Sequence, residues 1–125
     1  APSAIEGTVA TSKYINQICV IGDRQPYLTA LVTLDADNVA AYAREAGIEF
    51  DQAKQLQGNP RIIDLVQSVI QEKNQEFASF ETIKKFRIVD EFTIENGLLT
   101  PTMKVKRNVA IERFKDFIAE MYAGN

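Results

Sequence analysis

Three cations close one short run of the chain, Leu98-Leu99-Thr100-Pro101-Thr102-Met103-Lys104-Val105-Lys106-Arg107. An ammonium or guanidinium has only donors to offer, so these side chains suit the binding and neutralising of an anion rather than proton abstraction. Pro101 lacks an amide donor and restricts Thr100 before it, so the segment resists regular helix. In an extended chain Lys104 and Lys106 fall on one face, with Met103 and Val105 on the other. This spacing fits two readings. One is a solvated edge strand whose lysines discourage pairing with other chains. The other is a mobile loop that carries an ammonium to an anion held elsewhere.

Other chemistry is largely closed off. The chain has 125 residues, no histidine and a single cysteine, Cys19. Without histidine there is no Ser-His-Asp or Cys-His nucleophile, and a lone cysteine assembles no convincing transition-metal site. Cys19 lies in the apolar run Ile18-Cys19-Val20-Ile21 and reads as a small buried hydrophobe of a reducing compartment. A net charge of −3 and the lack of an aromatic-basic platform argue against a nucleic-acid binder. No apolar run approaches the roughly 18 residues that span a bilayer, and no signal peptide is visible. Hydrophobic content of 46% and charged content of 25% suit one globular domain able to bury a core without staples.

The segment from Asn96 to Arg107 resembles the C-terminal lysine motif of long-chain acyl-CoA synthetases, the AMP-forming fatty acid ligases. A second block, Val20-Ile21-Gly22-Asp23-Arg24-Gln25-Pro26-Tyr27-Leu28-Thr29-Ala30-Leu31-Val32-Thr33-Leu34-Asp35, is similar to the hairpin that opens the same domain. The blocks stand in the right order and at the right separation, and together the resemblance covers nearly the whole chain. It implies that residues 1–125 form the single small C-terminal lid domain of such a ligase, with the large N-terminal adenylation domain absent. The implied reaction joins a fatty acid to ATP as acyl-AMP, then passes the acyl group to coenzyme A. The lid would supply the adenylation lysine and gate the two half-reactions by swinging between two poses. Counting the family's spacing from Leu99 without gaps gives Lys106 as that lysine. The usual Ser-Gly before it is replaced by Lys104-Val105, which leaves Lys104 as a rival. Thr102 and Arg107 are the residues expected near a bound cofactor. ATP and magnesium would be held by the missing domain, and the glycine-rich hinge with its pantetheine contacts would precede Ala1. The implied partners are the adenylation domain, fatty acid, ATP and coenzyme A, with no nucleic acid. The implied location is cytoplasmic, with room for peripheral membrane contact through the full-length enzyme. The fragment alone is expected to be inactive.

The elements that must position this segment are legible from pattern. Ser3-Ala4-Ile5-Glu6 fits a capping box opening a helix that buries Ile5 and Val9 and ends near Lys13-Tyr14. Ile18–Ile21 and Tyr27–Leu34 read as a hairpin, joined by turn residues 22–26. Gly22-Asp23 is a weak match to a phosphate cradle and a good match to an ordinary turn. Asp35 or Asp37 caps a helix carrying Val39, Tyr42, Ala43 and Ala46, stopped at Gly47. A polar helical stretch runs from Asp51 to about Gln57. Asn59-Pro60 starts the longest helix, with the stripe Ile62, Leu65, Val66, Val69, Ile70, Lys73 and Phe77. Residues 84–89 alternate charge and apolarity as a half-exposed strand, whose cations could form an anion patch or a solvated face. Residues 90–94 read as extended, Asn96-Gly97 as a hairpin turn, and Ala110, Phe114, Phe117, Ile118 and Met121 as the stripe of one closing helix. Together these predict an α+β fold, with a small, mainly antiparallel sheet of about three strands covered by helices on at least one face. Two other functions fit the same fold: a fatty acyl-AMP ligase lid serving a carrier protein, and a non-catalytic regulatory or interaction module.

Overall fold

The computed structural model describes residues 2–124. The chain runs α1 (Pro2–Val9), β1 (Ile15–Ile21), β2 (Leu28–Leu34), α2 (Ala36–Glu45), a 3-10 turn (Ala53–Gly58), α3 (Pro60–Asn74), a second 3-10 turn (Ser79–Glu81), β3 (Ile83–Ile88), α4 (Arg107–Arg113) and α5 (Lys115–Tyr122). The fold is α+β, with a three-stranded sheet in the order β1-β2-β3. β1 and β2 form the expected antiparallel hairpin, with Ile18 opposite Val32 and Val20 opposite Ala30. β3 returns parallel to β2, pairing Ala30 with Phe86 and Val32 with Ile88. The sheet is therefore mixed, because a crossover through α2 and α3 brings the chain back to the edge in the same direction.

β2 is covered on both faces. Ala30 and Val32 pack with Ile5, Val9, Val66 and Ile70 beneath α1 and α3. Leu31 packs with Phe92, Leu98, Leu99, Ile118 and Met121 on the other side. Thr29 and Thr33 are buried as well, and both hydroxyls donate, to the Tyr122 Oη at 3.1 Å and the Gln17 Oε1 at 2.9 Å. A third cluster of Val39, Ala43, Ile48, Leu56 and Ile62 joins α2 to the start of α3.

The caps of the two middle helices follow the sequence. Asp35 accepts from the Asn38 amide at 3.0 Å. Asn59 accepts from Arg61 at 2.9 Å and Ile62 at 3.4 Å, with Pro60 in the first turn. Asn59→Ala is expected to lower stability by about 1 kcal/mol, read as a reduced urea midpoint at unchanged slope. An unchanged midpoint would mean that the cap contributes nothing.

Five local expectations are corrected. Ser3 lies inside α1, not before it. Glu6 does not reach back to close a capping box, because its carboxylate accepts from the Val20 amide at 2.8 Å instead. α1 ends at Val9, and a turn follows it. Residues 90–94 join no strand. Gln17 takes the place of a neighbouring strand there, donating to the Phe92 carbonyl and accepting from its amide, both at 2.8 Å. Asn96-Gly97 does not take two positive φ values, since only Gly97 does, at 83°. The closing helix breaks at Phe114, whose φ −107° and ψ 24° part α4 from α5.

Candidate functional site

The cationic segment is a hairpin set on the buried pair Leu98 and Leu99, each 2% exposed. Leu99 bridges Val105 in antiparallel register. The Lys106 amide donates to the Leu98 carbonyl, and the Thr100 amide to the Lys104 carbonyl, each at 2.8 Å. At the tip the Met103 amide donates to the Thr100 carbonyl at 2.8 Å, closing a turn with Pro101 at its second position, where a fixed φ suits it. Met103 then adopts φ 68°, the left-handed residue that completes a three-residue hairpin loop. The Thr100 hydroxyl accepts from the Lys104 amide at 3.0 Å and lies 3.1 Å from the Thr102 hydroxyl. These bonds make the tip a braced unit.

The base is fastened from before the motif. The Asn96 side chain accepts from the Thr93 and Leu98 amides at 3.0 and 3.1 Å and donates to the Glu91 carbonyl at 2.9 Å. Asn96 is thus a staple, which the Asn-Gly turn signal did not announce.

Lys104 and Lys106 both point to solvent, with Val105 half-buried between them. This is the alternation expected of an extended chain. Met103 departs from it: as the turn residue it is 64% exposed and does not share the inward face of Val105. Among the described residues, no hydrogen bond or ion pair reaches the Nζ of Lys104 or Lys106. Thr102 is exposed at the tip.

Arg107 follows Lys106 directly, yet its guanidinium is committed within the chain. It pairs with the Glu6 carboxylate at 2.9 Å and 3.0 Å and donates to the Val20 carbonyl. Its Nη1 also lies 3.6 Å from the Cys19 Sγ. Glu6, in turn, holds the Val20 amide. This cluster ties α1, β1 and the start of α4 together at the foot of the lysine hairpin. Glu6 was missed because its spacing from Ser3 imitates a helix cap.

Burial pushes the Cys19 thiol up to about 11, with the Arg107 guanidinium opposing and the Glu6 carboxylate adding to the rise. A protonated, buried thiol is a poor nucleophile. Cys19 is therefore expected to resist alkylation by iodoacetamide at pH 8 in the folded chain and to react only on unfolding. Rapid labelling of native protein would contradict that. Among the described residues, no group of three or more His, Cys, Asp or Glu could hold a metal ion.

A family model, the AMP-binding enzyme C-terminal domain, matches residues 1–125. The chain belongs to this family. Long chain acyl-CoA synthetase 6, peroxisomal, of Arabidopsis thaliana is 36% identical to this C-terminal domain over 130 residues, covering 98% of the chain and 18% of the relative. Long-chain-fatty-acid–CoA ligase FadD15 of Mycobacterium tuberculosis is 33% identical over 124 residues, covering 98% and 21%. The domain therefore spans about a fifth of the length of the relatives it matches. Among solved structures, the A-PCP didomain of carboxylic acid reductase from Segniliparus rugosus in complex with AMP superposes with a TM-score of 0.73 at 28% identity, covering 98% of this chain and 16% of that one. The adenylation domain of the carboxylate reductase GR01_22995 from Mycobacterium chelonae gives 0.75 at 25%, covering 97% and 17%. No helix among the described residues is long and apolar enough to cross a membrane.

Proposed function

We propose that this domain is the lid of a long-chain fatty acid–CoA ligase and that Lys106 is its adenylation lysine. The observation that carries this reading is the pair of solvent-facing ammonium groups, without partners among the described residues, on a braced hairpin. Its setting is a family whose relatives include long-chain acyl-CoA synthetases. In adenylation a fatty acid carboxylate attacks the α-phosphorus of ATP, forming the acyl-phosphate bond and expelling pyrophosphate. Two anions must meet, and charge grows on the phosphoryl oxygens. An ammonium placed between them neutralises and positions both. The coenzyme A thiol then attacks the acyl carbon, forming the thioester and releasing AMP. The lysine has less to do in that step, and rotation of a rigid domain can withdraw it.

Lys106 is favoured over Lys104 by its spacing from Leu99 and by its anchorage. Its amide is bonded to Leu98, and the next residue is clamped to Glu6. Lys104 sits beside the strained tip, one residue after Met103. Thr102, exposed at the tip, would meet the bound nucleotide or the adenylation domain. Met103 and Val109 are exposed apolar side chains on either side of Lys106 in sequence, and they give this face an apolar margin suited to covering by the rest of the enzyme.

The test is the full-length enzyme with a long-chain fatty acid, ATP, magnesium and either coenzyme A or a carrier protein. AMP, pyrophosphate and acyl-CoA are expected. The likeness to an A-PCP didomain supports a second reading, in which the acyl group passes to a carrier; acyl transfer to the carrier alone would establish it. The 125-residue chain should turn over nothing, since the ATP and acyl pockets would lie in the adenylation domain. Turnover by the isolated chain would overturn the assignment.

A further inference from the structure

A cleft of about 980 Å³ follows the outer edge of β3 between α3 and α5 and is lined among others by Ile63, Gln67, Ile70 and Phe86. β3 is a sheet edge. The Val89 amide donates to the Val32 carbonyl at 2.8 Å, so by strand alternation the peptide groups of Arg87 and Lys85 also face β2, while those of Phe86 and Ile88 face outward into the cleft. At the entry end, Asn74 already mimics a neighbouring strand: it donates to the Ile83 carbonyl at 2.9 Å and accepts from its amide at 3.0 Å.

Side chains divide by face. Phe86 and Ile88 join the core beneath α3. Lys85 and Arg87 lie on the α5 side, with Lys85 over the Tyr27 ring at 5.7 Å and Arg87 over the Phe117 ring at 4.1 Å. Arg87 is paired with Glu120 at 3.0 Å. Lys84 and Lys85 are exposed and have no acidic partner among the described residues. A positive edge therefore stands on a chain of net charge −3.

We propose that this cleft receives an extended polypeptide segment that alternates acidic and apolar residues and pairs with β3 as a fourth strand. Its backbone would bond to the outward groups of Phe86 and Ile88. Its apolar side chains would meet Ile63 and Phe86, and its carboxylates would meet Lys85. Main-chain bonds of this kind supply affinity, while alternate side chains supply selectivity. A second copy of β3 is a poor occupant, because it would set a cationic edge against a cationic edge. The proposal is independent of the lysine hairpin.

The test titrates the 125-residue chain with an eight-residue fluorescein peptide alternating glutamate and valine, and with its lysine-valine counterpart. The glutamate peptide should bind about tenfold or more tighter, and Lys85→Glu should reverse the preference. Lys85→Gln serves as a second variant if the first fails to fold, and it should weaken binding of the glutamate peptide. Amide exchange at Phe86 and Ile88 should slow on binding, while Arg87, already bonded to β2, should not change. No binding at millimolar peptide, equal binding of both peptides, insensitivity to Lys85, or binding without protection of Phe86 and Ile88 would each overturn the proposal.

Discussion

In the full-length enzyme, Lys106→Ala is expected to slow acyl-adenylate formation by about 10²–10³, or roughly 3–4 kcal/mol of barrier, the usual cost of removing one well-placed electrostatic donor. The loss should appear in the rate rather than in folding. The Lys106 side chain is exposed and has no partner among the described residues, so its removal empties no cavity and orphans no buried group. Its structural role runs through the backbone, where its amide bonds Leu98, and alanine keeps that bond. Thioester formation from preformed acyl-adenylate should fall much less, because the two anions have already been joined. Lys104→Ala should cost adenylation less than Lys106→Ala, since Lys104 rides on the loop tip and not at the clamped foot. Pyrophosphate release measured without coenzyme A, beside thioester formation from supplied acyl-adenylate, separates the two steps. Normal adenylation by Lys106→Ala together with failure of Lys104→Ala would reverse the assignment.

How far the sequence reaches depends on the range of the interaction. Local signals worked where one short segment decides the outcome. Asn59-Pro60 started α3, and Asp35 capped α2. Those signals were weaker where the partner is remote. The parallel return of β3 depends on where a long crossover lands, and an alternating strand carries no mark of its neighbour's direction. Residues 90–94 looked extended, but Gln17 captures the Phe92 peptide group, a pairing across most of the chain that no window would display. The closing stripe was real, yet its period did not reveal the break at Phe114. At the candidate site, the types and spacing of Lys104 and Lys106 were readable, and so was the extended run through Val105. The fastening was not. Asn96 resembled a turn residue and Glu6 a capping residue, because both roles use the same short polar vocabulary.

Glu6 is where that hidden fastening can be measured. Glu6→Ala removes the carboxylate from both the Arg107 guanidinium and the Val20 amide. Charged hydrogen bonds of this kind contribute about 1.5–3 kcal/mol. The Arg107 side chain is 38% exposed and that of Glu6 18%, so water makes good part of the loss and about 2 kcal/mol is expected. Glu6→Gln keeps the shape and one acceptor, and should lie between alanine and wild type. The effect on chemistry should be separable from that on stability. Arg107 follows Lys106 in the chain, so freeing its guanidinium loosens the foot of the hairpin, and a displacement of about 1 Å can cost 10²-fold in a positioned reaction. Adenylation by Glu6→Ala is accordingly expected to fall about tenfold, with little change in KM for ATP. Asn59→Ala supplies the control, since it destabilises the domain from the start of α3 without touching the cluster and should leave adenylation unchanged. Exchange of the Lys106 amide, bonded to Leu98, should quicken in Glu6→Ala and not in Asn59→Ala. If both variants lose stability but neither changes adenylation or that amide, Glu6 braces the fold alone and does not position the lysine.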